Sequence, residues 1–178
     1  MQTTIDQESL VPLMEQLAVA NQAYATRFPG ESPLRQPVHT LYGGAHLYKS
    51  GATAKIGGLA QRHFVEYAQS PEMFASNLGI SHSPELAAAV FTRVGEKLKA
   101  EPIEDHRADF EDGYGTRTDK EEDDHVASAA EAMAEGLQRD ELPASVGIRI
   151  KALTEESKVR SLRTLDLFVS RLVVAASG

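Results

Sequence analysis

Two acids and an arginine stand out in this chain as residues whose types and spacing could do chemistry. Glu111 and Asp112 stand immediately before Gly113-Tyr114-Gly115, at the end of a short stretch of strand character. Carboxylates at such a place are costly to bury unless they are paired or coordinate a cation. A hard cation with oxygen ligands and retained waters is the matching partner, magnesium in the common case. A salt bridge or a helix cap is the structural alternative. A regular strand would send Glu111 and Asp112 to opposite sides, so a bend at Gly113 is needed to aim both one way. Arg149 lies within the otherwise apolar run Ser145-Val146-Gly147-Ile148-Arg149-Ile150-Lys151. There its planar guanidinium requires a carboxylate or phosphate. An internal ion pair with Glu111 or Asp112 is compatible with substrate binding if the acids hold the substrate's place.

The remaining candidates are weaker. Tyr42, Gly43, Gly44 and His46 follow a third short apolar stretch, and Lys151 follows Arg149. The six histidines, His39, His46, His63, His82, His106 and His125, show no metal-ligand spacing. His63 falls on an apolar helix face and reads as a core histidine, which leaves His46 as the best histidine candidate for proton transfer or substrate contact. Gly113-Tyr114-Gly115 lacks the further glycines and the lysine of a nucleotide-binding loop, and no nucleophile elbow is present.

Strands are expected at residues 37–42, 107–112 and 145–151, each bounded by turn residues. Helices are expected between and around them. The first spans roughly Asp6 to Thr26 and begins at or just before Pro12, with Leu10, Met14, Leu17 and Tyr24 at helical spacing. Ile56, Leu59, Ala60, His63, Phe64 and Tyr67 share a face, a short helix follows Pro71, and Ser83-Pro84-Glu85 opens another, striped by Leu86, Val90, Val94 and Leu98. Thr118 and Glu121 match a capping box, with Val126, Ala130, Met133 and Leu137 as the buried face behind it. Glu121 to Asp124 read as a solvated helix start. Thr154 is placed to cap a last helix whose apolar stripe is Val159, Leu162, Leu165, Val169 and Leu172, with Gly178 as its stop. Alternating strands and helices imply a parallel α/β sheet, and ligands then bind at the C-terminal strand ends, where all the candidate residues fall.

The 178 residues suffice for one domain with a real core. There is no cysteine, which excludes disulfides, thiolate catalysis and cysteine-ligated metals. A net charge of −8 without a Lys/Arg-rich run argues against a nucleic-acid partner and against anionic membranes. No apolar run approaches the ~20 residues of a membrane span, and the first ten residues carry no secretory pattern, so a cytoplasmic location is expected.

Asp109-Phe110-Glu111-Asp112, followed one helix later by Gly147-Ile148-Arg149-Ile150, resembles two strands of the citrate lyase beta-subunit family. Residues 40–47 and 163–168 are similar to a poorly characterised branch of the HpcH/HpaI aldolase superfamily, and the likeness covers roughly residues 34–178. It implies an α/β fold built as part of a TIM (β/α)8 barrel, with the first three βα units, inserted helices, and residues 1–33 as an N-terminal helix and loop. It also implies a metal-dependent carbon–carbon lyase or aldolase acting on a 2-oxo acid or a carboxylate-bearing acyl-CoA, with Mg2+ or Mn2+ as cofactor. In that frame Arg149 holds the substrate carboxylate or oxo group, with Lys151, Tyr42, Gly43, Gly44 and His46 around it. Glu111 and Asp112 act through metal-bound water, and the direct metal ligands are expected beyond Gly178, so the chain by itself is expected to be catalytically incomplete. Homo-oligomerisation is expected because a three-stranded remnant leaves sheet edges unpaired. Alternatives are a related phosphoenolpyruvate-using phosphotransferase, in which Arg149 and Lys151 bind phosphate, and a non-catalytic assembly module.

Overall fold

The computed structural model describes residues 6–80 and 83–177; His82 and the expected helix stop at Gly178 lie outside them. The chain divides after Gln36 into two compact units, three residues beyond the boundary expected at residue 33.

The first unit holds helix α1, Gln7–Arg27. Its start is set by Asp6, whose carboxylate accepts from Ser9 N at 2.8 Å, and Pro12 lies inside the helix rather than at its start. Proline is tolerated close to a helix start because early amides have no intrahelical acceptor. Leu10, Met14, Leu17 and Tyr24 are all exposed.

The second unit begins at Pro37 and contains β1 (Leu41–Gly44), α2 (Ala52–Tyr67), α3 (Pro71–Leu78), α4 (Pro84–Ala100), β2 (Asp105–Asp109), α5 (Asp119–Gln138), β3 (Ser145–Arg149) and α6 (Lys158–Ser177). A 3-10 turn, Ala45–Leu47, follows β1 directly. The local signals for α4 and α5 act as read: Ser83 accepts from Leu86 N, and Thr118 and Glu121 form the capping box. The short helix expected after Pro71 is present as α3, and its cap, outside the expected signals, is Ser70, which accepts from Met73 N. Phe64, Phe74 and Phe91 pack α2, α3 and α4 together, with ring centroids 5.0–5.9 Å apart. His63 is exposed rather than a core histidine.

The strands form one parallel sheet in the order β1-β2-β3, with Gly44 opposite Asp109 and Asp109 opposite Arg149. It is an open three-stranded sheet in a helix-rich chain, and the expected partial (β/α)8 barrel is not seen. Closure needs about eight tilted strands with a fixed stagger, and three strands leave β1 and β3 as edges.

The period-two alternation of strands sorts the sheet's faces by chemistry. Ala108, together with Phe110 just past the strand, faces a core built from Tyr48, Tyr114, Val126, Met133 and Phe168, with Val146 and Ile148 packed against it. The alternate residues, Asp105, Arg107 and Asp109 on β2 and Ser145, Gly147 and Arg149 on β3, make a polar face. Arg107 bonds Asp105 Oδ2 (3.0 Å) and Ser145 Oγ (3.1 Å), and Thr40 also donates to Asp105 Oδ2 (3.0 Å). Its guanidinium lies across Gly147, where a Cβ would run into it.

Helix α6 departs most from the expected pattern. Its buried residues are Ser161, Thr164 and Phe168, while Val159, Leu162, Leu165 and Val169 are exposed. It also begins four residues after Thr154. That residue instead closes a turn, its carbonyl accepting from Lys158 N at 2.8 Å. In α5, Val126, Ala130 and Met133 are buried as expected, but Leu137 is exposed. Of the acidic run, Glu121 and Asp124 are exposed as expected, Asp123 is half-buried, and Glu122 is buried.

Candidate functional site

The turn after β2 is built by Asp109. Its buried carboxylate accepts from Glu111 N (2.8 Å) and Gly113 N (2.9 Å), and Tyr114 N closes on Glu111 O (3.2 Å). This Asx-type arrangement ends the strand at Asp109 and folds residues 110–113 back. The bend needed to aim Glu111 and Asp112 together is therefore made by an aspartate four residues before Gly113. On the neighbouring strand a Cβ at Gly44 would run into the Gly113 carbonyl, so glycine is required there.

Arg149, opposite Asp109 on β3, receives both acids. Its Nη2 lies 2.5 Å from Glu111 Oε2 and 2.6 Å from Asp112 Oδ2, while Nη1 reaches Asp109 Oδ2 only at 3.5 Å. Its Cζ stands 5.4 Å from the Tyr42 ring centroid. The hydrogen bond to Asp112 holds the guanidinium above its ordinary pKa; its own desolvation opposes this and Glu111 adds to it. The Arg149 side chain is 33% exposed and that of Asp112 80% exposed, so the pair faces solvent.

The structure thus brings Arg149, Glu111, Asp112 and Tyr42 together. Gly43 and Gly44 lie on the adjoining strand end, their neighbours being His106, and His46 with Gly113, respectively. Lys151 is drawn elsewhere: its Nζ binds Glu122 Oε2 at 2.5 Å and lies 5.4 Å from the Tyr114 ring centroid. His46 belongs with Tyr114 and His125, at ring separations of 5.8 and 6.3 Å.

Glu122, 3% exposed, is the centre of a second charged group. Besides Lys151 it takes Thr164 Oγ1 (2.6 Å) and lies 3.2 Å from Arg160 Nε. Asp123 joins Arg160 and Arg163, each at 2.6 Å. Ser161 Oγ donates to Lys151 O at 2.9 Å. Burial pushes the Glu122 carboxyl up, but the Lys151 and Thr164 hydrogen bonds outweigh it and its pKa falls below the ordinary value.

Sequence reasoning missed Asp109 as the turn builder, and it missed Tyr114, Arg117, His125 and Glu122. A signal existed for Glu122, which precedes Val126 by four residues and so shares its buried helix face. None existed for Tyr114, whose burial depends on long-range packing.

The residues at the rim do not fit a magnesium ion as they stand. Asp109 is committed to two backbone amides, and Glu111 and Asp112 both bind the guanidinium. Among the described residues no group of three or more His, Cys, Asp or Glu side chains is placed to hold a metal. Nor does the rim coincide with the sheet's opposite end, where a cleft of about 320 Å³ is lined by Thr53, Pro102, Ile103 and Leu142 with the acids Glu101, Asp140 and Glu141. That cleft holds no cation to receive an anion. Among the described residues no helix is long and apolar enough to cross a membrane.

A family model described as Domain of unknown function (DUF6986) matches residues 17–178. No curated protein and no solved structure matches the chain.

Proposed function

The chain belongs to the DUF6986 family, whose description names no chemistry, and from its rim we propose that it binds a small carboxylate-bearing substrate through Arg149. That binding serves a carbon–carbon lyase or aldolase reaction on a 2-oxo acid or an acyl-CoA. The observation that carries the reading is the crowding of two carboxylates on a single guanidinium nitrogen. A guanidinium binds a carboxylate best through two parallel bonds. Glu111 and Asp112 both use Nη2, and Nη1 has only a long contact. An incoming carboxylate that takes both nitrogens improves on this geometry, and the mostly exposed Asp112 is the acid it displaces. Tyr42 lines the approach, and Asp109 keeps the turn in place throughout, because its bonds are to the backbone.

The reaction class rests on the order and spacing of the two motifs and their resemblance to the HpcH/HpaI and citrate lyase beta-subunit group. No step is routed through a metal, since the described residues do not form its ligand set. Lys151 is not an anchor for the substrate in this reading, because Glu122 already holds it.

Calorimetric titration of the chain with pyruvate, malonyl-CoA and phosphoenolpyruvate tests the reading. Pyruvate or the carboxylate-bearing malonyl-CoA is expected to bind, and Arg149→Ala to lose that binding while keeping wild-type circular dichroism. Wild-type affinity in Arg149→Ala refutes the role of the guanidinium. Binding of phosphoenolpyruvate alone moves the reading to the phosphotransferase alternative.

Assembly with a second copy is a further reading, favoured by the outward face of α6. Leu162, Leu165, Val169 and Val173 are exposed there, on the helix that follows the open edge strand β3. Contiguous apolar surface of this kind marks interaction sites. Light scattering that finds a monomer at every accessible concentration ends it.

A further inference from the structure

On the helix side of the sheet, three nitrogen-bearing side chains from three different elements surround Tyr114. His46 comes from the 3-10 turn after β1, Arg117 from the loop after β2, and His125 from α5. The Arg117 guanidinium stands 4.7 Å from the Tyr114 ring centroid, and the His125 ring meets it edge-on at 5.6 Å. Tyr114 is 2% exposed. Its hydroxyl is pushed up to about 12, first by burial and then by Glu122, so it stays protonated across the physiological range. It lies 2.7 Å from His125 Nδ1. The same hydroxyl lies 3.5 Å from the Glu121 carbonyl: where it donates to Nδ1, His125 Nε2–H is the remaining donor, and where it donates to the carbonyl it accepts from Nδ1–H.

This cluster has polar nitrogens without partners. His46 Nδ1 and Arg117 Nε are buried and have no hydrogen-bond partner, which is uncommon for buried polar atoms. Among the described residues Arg117 makes no ion pair. The nearby acids are already engaged: Glu121 closes the capping box on Thr118, and Glu122 holds Lys151, Thr164 and Arg160. The cationic side chains also oppose one another. The His46 pKa lies below its ordinary value, first through burial and then through Arg117 and His125.

We propose that His46, Arg117 and His125 form a second anion-binding site, separate from Arg149, whose ligand is a phosphate-type oxyanion. A phosphate group presents enough oxygens to meet a guanidinium and two imidazole donors arriving from three directions. A carboxylate, with two oxygens, leaves one of them unmet. The charged imidazoles supply a donor at each ring nitrogen, and a bound dianion favours those forms. The site stands independently of the carboxylate reading at Arg149.

Histidine ring signals of the full chain, followed by NMR through a pH titration with and without inorganic phosphate, test it against chloride of equal ionic strength. A methyl phosphate monoester in a parallel arm distinguishes free phosphate from the phosphate group of a larger molecule. Phosphate or its monoester is expected to raise the titration midpoints of His46 and His125. Arg117→Gln is expected to weaken binding about tenfold, the loss of one charge-assisted donor, with partial recovery in Arg117→Lys. Arg149→Ala is expected to leave it unchanged. His46→Gln provides a second test if the Arg117 variants unfold, and it is also expected to weaken binding. Midpoints that move no more than in chloride overturn the proposal, as does undiminished binding in both Arg117→Gln and His46→Gln. Loss of phosphate binding in Arg149→Ala overturns it too, by placing the anion on the other guanidinium.

Discussion

Two charged centres stand one helix apart in this chain, and they differ in what holds them. At Glu122 the carboxylate is buried, and its oxygens are taken by a lysine just after β3 and by an arginine and a threonine hydroxyl of α6. At Arg149 the guanidinium is part-exposed, two acids share one nitrogen, and one of those acids is mostly in solvent. The first arrangement is closed: without Lys151 and Arg160 the buried carboxylate is an unpaired charge, and no ligand can enter without that cost. The second is open, because its partners can return to water when something better arrives. Charge clustering alone therefore does not separate a structural centre from a binding site. Exposure and the saturation of hydrogen-bonding capacity do.

The contrast fails if the two centres contribute equally to stability. Glu122→Ala is expected to cost about 3 kcal/mol, the range for breaking a buried pair, read as a fall in the denaturant midpoint. Arg149→Ala is expected to leave that midpoint close to wild type. The Glu122 contribution also has a defined pH window. Its folded-state pKa lies below the ordinary 4.5, so its stabilisation is fully present above that value and is lost as pH falls through the folded one. The gap in stability between wild type and Glu122→Gln should therefore narrow below about pH 4.5. A gap independent of pH would mean that the carboxylate's charge contributes nothing.

The same contrast explains what the sequence made legible. Three parallel strands, the capping box at Thr118, the helix start at Ser83 and the short helix after Pro71 are local or short-period signals, and each was readable; the pairing of Arg149 with its acids followed from residue type at the strand ends. The interior of α6 was not. Leu162, Leu165 and Val169 are the apolar choice for a core face, yet the helix turns Ser161 and Thr164 inward, because the Lys151 carbonyl and the Glu122 carboxylate lie there and need donors. An amphipathicity count weighs transfer free energy and has no access to a buried acceptor on another element. Within the acidic run at 121–124 it was Glu122 that misled, for the same reason, since it points at that face. The barrel expectation came from motif likeness, whereas sheet closure depends on strand number and stagger, which no short motif encodes.

Thr164→Val sharpens the comparison on a smaller scale. It keeps shape and removes only the hydroxyl that donates to Glu122 Oε1 at 2.6 Å. About 1 kcal/mol of destabilisation is expected, the usual net worth of such a bond. An unchanged midpoint would mean that Lys151 and Arg160 alone satisfy the carboxylate.

The smallest expected effect on the fold comes from Asp112→Asn, and it tests the open centre most directly. The substitution removes one of the two acids competing for Arg149 Nη2 while leaving the turn, whose bonds run through Asp109 and the backbone. Stability should stay at the wild-type value because the Asp112 side chain is 80% exposed. Affinity for a carboxylate ligand should rise roughly two- to fivefold, the scale of an exposed ion pair that no longer has to be displaced. A fall in affinity would instead place Asp112 in direct contact with the ligand, as a group that recognises it rather than one that holds its place.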